Sequence, residues 1–140
     1  MRKSIGIAIG AVLLTLAGSP VAMAAAVAID VKDDSGKALT GDPAAGAIVF
    51  HKCQVCHSTK PGENRVGPSL AGIIGRTSGS VPGFVYSTAN KNSGIVWAEQ
   101  KLFVYLKSPQ SVVPGTKMTF PGLPKDQDRA DIIAFLQETK

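Results

Sequence analysis

Residues 51–60 read HKCQVCHSTK, and this stretch holds both cysteines and both histidines of the 140-residue chain. Whatever these side chains grip sits beside one short piece of backbone, so the rest of the fold must be built around it. Composition sharpens that demand. The chain is 44% hydrophobic and 18% charged, the balance of a folded protein, and its length is that of one domain. Only 6% is aromatic, while 15 glycines and 9 prolines call for turns and loops in place of long elements. Such a chain is short of bulky core filler unless something other than side chains supplies it.

The N-terminus is read apart from the fold. Arg2 and Lys3 precede an uncharged run from Ser4 to Ile29, most apolar at IGIAIGAVLLTLA, then broken by Gly18-Ser19-Pro20 and followed by AMAAA. A basic start, an apolar stretch and a small-residue cleavage zone define an export signal over residues 1–26, cut after Ala24 or Ala26. The competing reading is an uncleaved anchor, since the uncharged run is long enough to span a bilayer. The Gly-Ser-Pro break and the short apolar stretch favour cleavage. Either reading places the functional part outside the cytoplasm, which in a bacterium means the periplasm. Removing Arg2 and Lys3 lowers the formal net charge from +5 to +3. An excess so small and dispersed, with no basic cluster interleaved with aromatics, excludes a nucleic-acid binder and suits transient docking on an acidic protein face.

Residues 27–40 carry charges and glycine without a period and read as a loose leader, with the domain at 41–140. Order begins at GDPAAGAIVFHKC. Asp42 is a cap and Pro43 fits the first helical position, so a helix starts there and runs to the cysteines. Gly46 and Phe50 share one face of it, and a glycine inside a helix signals close approach by another element. Ser58 to Pro82 is mostly loop, with at most a turn around Ser69 to Ile73. YSTANKN gives a short helix capped by Ser87 or Thr88. WAEQKLFVYLKSPQ is a longer one, with Leu102, Tyr105 and Leu106 on one side and Pro109 stopping it. In KDQDRADIIAFLQETK, Asp126 is the expected cap and Ile132, Ile133, Phe135 and Leu136 form the apolar stripe. No alternating run long enough for a sheet stands out. The expected fold class is therefore all-α, a few short helices joined by long loops.

Cys53-Gln54-Val55-Cys56-His57 satisfies Cys-x-x-Cys-His, the attachment signature of c-type haem. On a helical turn the two thiols lie close enough to form thioethers with the two vinyl groups of one porphyrin, and His57 is then aimed at the iron. Structural zinc would want two separated ligand pairs, and there is no second knuckle. A thioredoxin-like dithiol would need a βαβ context. A purely structural disulfide stays open on geometry, although so short a loop would constrain little. His51 reads as a solvated helix residue.

A c-type haem needs a sixth ligand or an open site. No histidine follows His57, and His51 on the same helix cannot reach the far face of the ring. Met118 is the one methionine after Ala24, and it sits in VPGTKMTFPG, where Pro114-Gly115 and Pro121-Gly122 bracket a non-helical loop. A lone methionine is more often core filler, but its uniqueness and its brackets favour ligation. The haem would then be the bulky mass that the composition lacks.

The chain resembles class I cytochromes c, and closely the mitochondrial-like branch that includes small bacterial periplasmic carriers. The resemblance covers residues 41 to 139 through GDPAAGAIVFHKCQVCH, RVGPSLAGIIGRTSG, PGFVYSTANKNSGIVW, LFVYLKSPQSVVPGTKMTFPG and RADIIAFL. It implies a fold in which the first helix crosses the last, Gly46 and Phe50 meeting Ile132 and Phe135. It implies one haem c, covalent through Cys53 and Cys56, with iron between His57 and Met118. It further implies that the Pro68 carbonyl accepts from His57, and that Arg76, Tyr86 and Trp97 bind the haem propionates. Asn90 would belong to the internal polar network, Tyr105 and Thr116 would flank the methionine, and Phe120 would shield the haem.

The implied function is a soluble electron carrier that does no bond chemistry. Its implied partners are a quinol:cytochrome c oxidoreductase or periplasmic dehydrogenase as donor and an oxidase or reaction centre as acceptor. A haem peroxidase or gas sensor is the alternative if Met118 is not a ligand, and a membrane-anchored electron-transfer module the alternative if the N-terminus stays. The sequence departs from lysine-rich relatives at PQSVV and GLPKDQD, leaving Lys52, Lys60, Lys91, Lys107, Lys117 and Lys125 as candidate docking charges.

Overall fold

The computed structural model describes residues 25–140, so the expected export signal falls almost wholly outside the described residues. In chain order the elements are β1 (Val27–Lys32), β2 (Ala38–Gly41), α1 (Pro43–Phe50), α2 (Thr88–Asn92), α3 (Glu99–Lys107), α4 (Pro109–Val112) and α5 (Asp126–Glu138). Asp42 starts α1: its carboxylate accepts from the amides of Ala44 and Ala45 at 2.8 and 3.3 Å, and Pro43 fills a position whose N–H would have no partner. α1 ends at Phe50, short of the cysteines, which ride on the turns that continue it. The amides of Cys53 and Gln54 both donate to the Phe50 carbonyl, and those of Cys56 and His57 to the Cys53 carbonyl.

α5 crosses α1 at Gly46. A Cβ at that position would overlap the Asp131 carbonyl and lie 2.8 Å from Phe135 Cβ, so only glycine lets the two backbones approach this closely. One turn further on, the Phe50 and Phe135 rings tilt at 43° with centroids 5.2 Å apart. Behind the crossing, α5 buries Ala130, Ile132, Ile133, Ala134 and Leu136, and α3 lays Leu102, Phe103, Tyr105 and Leu106 into the same core. Ser87 caps α2, its hydroxyl accepting from the Asn90 amide at 3.1 Å.

Two further helix limits differ from expectation. Pro109 does end α3, yet it also opens α4, because proline is tolerated in a first turn. The N-cap of α5 is Lys125, with no side-chain bond, and Asp126 is its first helical residue. There the carboxylate still suits the positive end of the helix and pairs with Arg129 at 2.6 Å.

The larger correction concerns residues 27–40, which are not a loose leader. β1 and β2 form an antiparallel hairpin in which Val27 faces Gly41 and Ala28 faces Thr40, with an irregularity before Lys32 faces Ala38. Its turn is closed by the Asp33 carboxylate, which accepts from the amides of Ser35 and Lys37 at 2.9 and 3.0 Å. Val27, Ile29 and Val31 alternate with Ala28, Asp30 and Lys32, and this period of two turns Ile29 and Val31 into the core, 8% and 2% exposed. The intervening charges hid the period in the sequence. Lys32 donates its N–H to the Gln100 side chain at 2.7 Å and accepts from it at 3.2 Å, and the Asp30 amide donates to Glu99. Gly41 lies against Ala130 and Ala134 of α5. The fold remains all-α in class; this hairpin is the one sheet among the described residues.

Burial of Ile29 and Val31 makes the hairpin part of the core. A chain beginning at Gly41 is expected to lose roughly 2–4 kcal/mol of stability in urea unfolding followed by circular dichroism. An unchanged midpoint would show that the hairpin merely rests on the surface.

Candidate functional site

A cavity of about 450 Å³ opens between the Cys-x-x-Cys-His turn, α3, α5 and the loop before α5. Cys53, Cys56, His57, Pro68, Arg76, Tyr86, Asn90, Trp97, Tyr105, Thr116 and Met118 all line it, as does Phe120. The sequence-predicted residues, spread over more than sixty positions, are thus brought together in one place. Leu70, Ile73, Leu102, Leu106, Ile132 and Leu136 complete an apolar wall.

On one side the geometry centres on His57. Its Nδ1 lies 2.7 Å from the Pro68 carbonyl, which can only accept, so Nδ1 carries the proton and Nε2 keeps a free lone pair. Burial holds the imidazole below its ordinary pKa; the Pro68 hydrogen bond opposes this and the nearby Arg76 charge adds to it. The ring is therefore neutral at pH 7 and ready to coordinate. Gly67 lies against it, since a Cβ there would overlap the ring and sit 2.7 Å from Nδ1. The Gly67 amide donates to Cys56 at 2.8 Å, and Arg65 donates to the Gln54 carbonyl at 2.9 Å, so the turn and the proximal loop brace each other.

Cys53 and Cys56 are unbridged. Burial pushes the Cys53 thiol up to about 11, an effect that Lys52 opposes and Cys56 reinforces. A thiol held that high is a poor thiolate, which is the reverse of what a redox-active dithiol needs.

Met118 enters from a loop bracketed by Gly115 at φ +85° and Gly122 at φ +109°, conformations that disfavour any side chain. Gly122 packs directly on the Lys107 carbonyl. The Tyr105 hydroxyl donates to Met118 Sδ at 3.2 Å, and burial raises the phenol's pKa, so it remains a donor. Met118 N–H donates to Thr116 Oγ1 at 3.2 Å. The Trp97 and Tyr105 rings pack at a 52° tilt with centroids 4.7 Å apart. Arg76, half-buried, donates to the carbonyls of Ala71 and Ser69 at 2.8 and 2.9 Å, and Tyr86 stands beside it.

Sequence reasoning missed two residues of this site's scaffold. Arg129, 0% exposed, donates to the carbonyls of Leu123 and Pro124 at 2.6 and 3.0 Å and lies 4.2 Å over the Phe103 ring, fastening the methionine loop to α5. An arginine three and four places before Ile132 and Ile133, on the apolar stripe, was its signal. Gln110 donates to the carbonyls of Thr116 and Met118. An exposed glutamine after a proline carries no signal at all.

The donor set fits a c-type haem. Two cysteines stand one turn apart at the rim, a neutral imidazole offers Nε2, and a thioether sulfur is held within the same apolar cavity beside a guanidinium and an indole suited to acidic substituents. A family model described as Cytochrome c matches residues 43–140. The chain belongs to the cytochrome c family. It is 54% identical over 106 residues to cytochrome c2 of Rhodopila globiformis, covering 75% of this chain and all of that protein. It is 57% identical over 100 residues to cytochrome c of Theileria annulata, covering 70% and 86%. Among solved structures, cytochrome cH from Methylobacterium extorquens superposes with a TM-score of 0.66 at 42% identity, covering 69% of this chain and 98% of that one. The cytochrome carries one covalent haem c through Cys53 and Cys56 and is a monohaem electron carrier.

Gly67 offers a direct check on the His57 side. Gly67→Ala forces the ring or the loop to move, at a cost of about 1–3 kcal/mol. The expected result is a lower haem content by pyridine haemochrome and a perturbed spectrum; a normal yield and spectrum would show that the contact is slack.

Proposed function

We propose that this cytochrome shuttles single electrons in the periplasm, and that His57 and Met118 would be the residues holding its haem iron. The observation that carries the reading is the pairing, in one cavity, of a neutral imidazole with a free Nε2 and a sulfur held by Tyr105. The haem supplies the Fe(II)/Fe(III) couple. The protein's part is to hold it: Met118 offers a soft ligand that favours the reduced metal, and the apolar wall disfavours the extra charge of the oxidised one. Arg76, Tyr86 and Trp97 would receive the propionates, and Asn90, Thr116 and Tyr105 would form the polar network around the sulfur. With His57 and Met118 both holding the iron, no position would be left for a substrate, which would make the protein a carrier and not an enzyme.

Residues 1–26 serve as the export signal, removed after Ala24 or Ala26, which leaves at most two residues ahead of β1. A quinol:cytochrome c oxidoreductase or a periplasmic dehydrogenase would deliver electrons, and an oxidase or reaction centre would receive them; the likeness to cytochromes c2 and to cytochrome cH supports this placement.

Purified periplasmic protein tests both statements. Its intact mass should equal the chain from Ala25 or Val27 plus one haem, and Met118→Ala should abolish the long-wavelength sulfur-to-ferric-iron band and lower the potential. A mass starting at Met1, or a spectrum indifferent to the substitution, would overturn the corresponding claim.

Docking follows from the rim of the cavity. Val55, Val66 and Val85 line it and are 76%, 80% and 75% exposed, while Lys52 and Lys117 are the lysines beside them. Lys107 is engaged by Asp34 at 2.6 Å. The electron-transfer rate should therefore fall only mildly with ionic strength, and Lys52→Glu or Lys117→Glu should slow it where Lys107→Glu does not. A steep salt dependence in stopped-flow measurements, or equal effects at all three lysines, would contradict this.

A further inference from the structure

We infer that Gln110 is a positioning residue for the sulfur ligand: its one amide group ties down the backbone on either side of Met118 and so sets how readily the sulfur leaves the iron. The inference rests on Met118 being that ligand.

The argument begins with what the loop lacks. Between the Thr116 amide, which donates to Val113 at 3.0 Å, and the Leu123 amide, which donates to Leu106 at 2.8 Å, no backbone amide in the described structure donates to a backbone carbonyl. The stretch 117–122 is thus fixed at its ends and unsupported in the middle. Across that gap reaches Gln110 of α4. Its Nε2 donates to the Met118 carbonyl at 2.8 Å and to the Thr116 carbonyl at 3.3 Å, and among the described residues these two carbonyls accept from nothing else. A primary amide has two N–H groups, so one side chain can serve both acceptors. Thr116 contributes the complementary bond, accepting from the Met118 amide, so the ligand's own N–H and C=O are both restrained by side chains.

Local structure delivers Gln110 to this place. Ser108 precedes α4 as its N-cap residue, its hydroxyl 2.7 Å from that of Ser111, and Pro109 fixes the first turn. Gln110 itself is exposed, so its replacement neither opens the core nor strips the cavity wall. Gln110 and Tyr105 bear on the release of the sulfur from opposite ends, since Tyr105 holds the sulfur atom and Gln110 holds the backbone from which it hangs.

Gln110→Glu is the decisive variant because it keeps shape and removes both donors; Gln110→Leu removes them without adding charge, and Gln110→Lys restores a donor. Ferric holoprotein of each is titrated with imidazole, which binds only when the sulfur has left, while the long-wavelength band reports Met118 ligation directly. Imidazole affinity should rise about fivefold or more in the glutamate and leucine variants and return toward wild type in the lysine variant. Urea unfolding of the same proteins separates local from global effects. Affinities within twofold of wild type in both donorless variants overturn the clamp, as does a rise no larger than the accompanying loss of global stability. A wild-type protein without the long-wavelength band would sink the ligand assignment itself, a different failure.

Discussion

The contact of Gly46 with the Asp131–Phe135 turn sets the separation of α1 and α5, and both halves of the haem site hang from that crossing. α1 runs on through its terminal turns into Cys53, Cys56 and His57, so its position fixes the covalent attachment and the imidazole together. α5 carries Arg129, whose guanidinium grips Leu123 and Pro124 at the end of the methionine loop. Widening the crossing by one methyl group would therefore act on the His57 side and on the Met118 loop together.

The two sides are built differently. The His57 side is stiff: Gly67 packs on the ring, Pro68 fixes its tautomer, and the proximal loop is laced to the cysteine turn by backbone bonds. The Met118 side is a loop held at its ends, with side chains bridging its middle. Under the proposed ligation, any change is thus expected to begin with the sulfur. A carrier benefits from the stiff side, because an iron that keeps its surroundings through a change of charge has little reorganisation to overcome. Arg129 shows what anchoring the soft side requires: a wholly buried cation, compensated by two carbonyls, Asp126 and the Phe103 ring, with Nε left unpartnered.

Much of this was legible from residue types with a single physical use. Cys-x-x-Cys-His, a glycine inside a helix, and a sole methionine between Pro-Gly pairs each admit few roles, and the structure gathers their residues at one cavity and one crossing. The hairpin escaped because Val27, Ile29 and Val31 alternate with Ala28 and two charges over only six residues, a pattern too short to outweigh the look of a polar leader. Gln110 escaped for a deeper reason. Its role depends on which carbonyls the loop leaves without partners, and that is a property of tertiary placement that no local pattern encodes.

The hairpin that the sequence concealed also bears on how the carrier meets its partners. Its turn brings Asp34 to Lys107, removing one lysine from the field around the molecule, while Glu63 pairs with Arg65 at 2.7 Å on the cysteine side. What remains at the mouth is chiefly apolar, three exposed valines with Lys52 and Lys117. Surface pairs of this kind contribute little to stability, so their effect lies in the field they cancel. Long-range attraction is weakened, and a partner docking at this mouth would rely on desolvating a small apolar patch, which gives little affinity by itself. A shuttle gains from that combination: a complex held by few charges and little area dissociates quickly, and the rate of turnover then follows release as much as encounter.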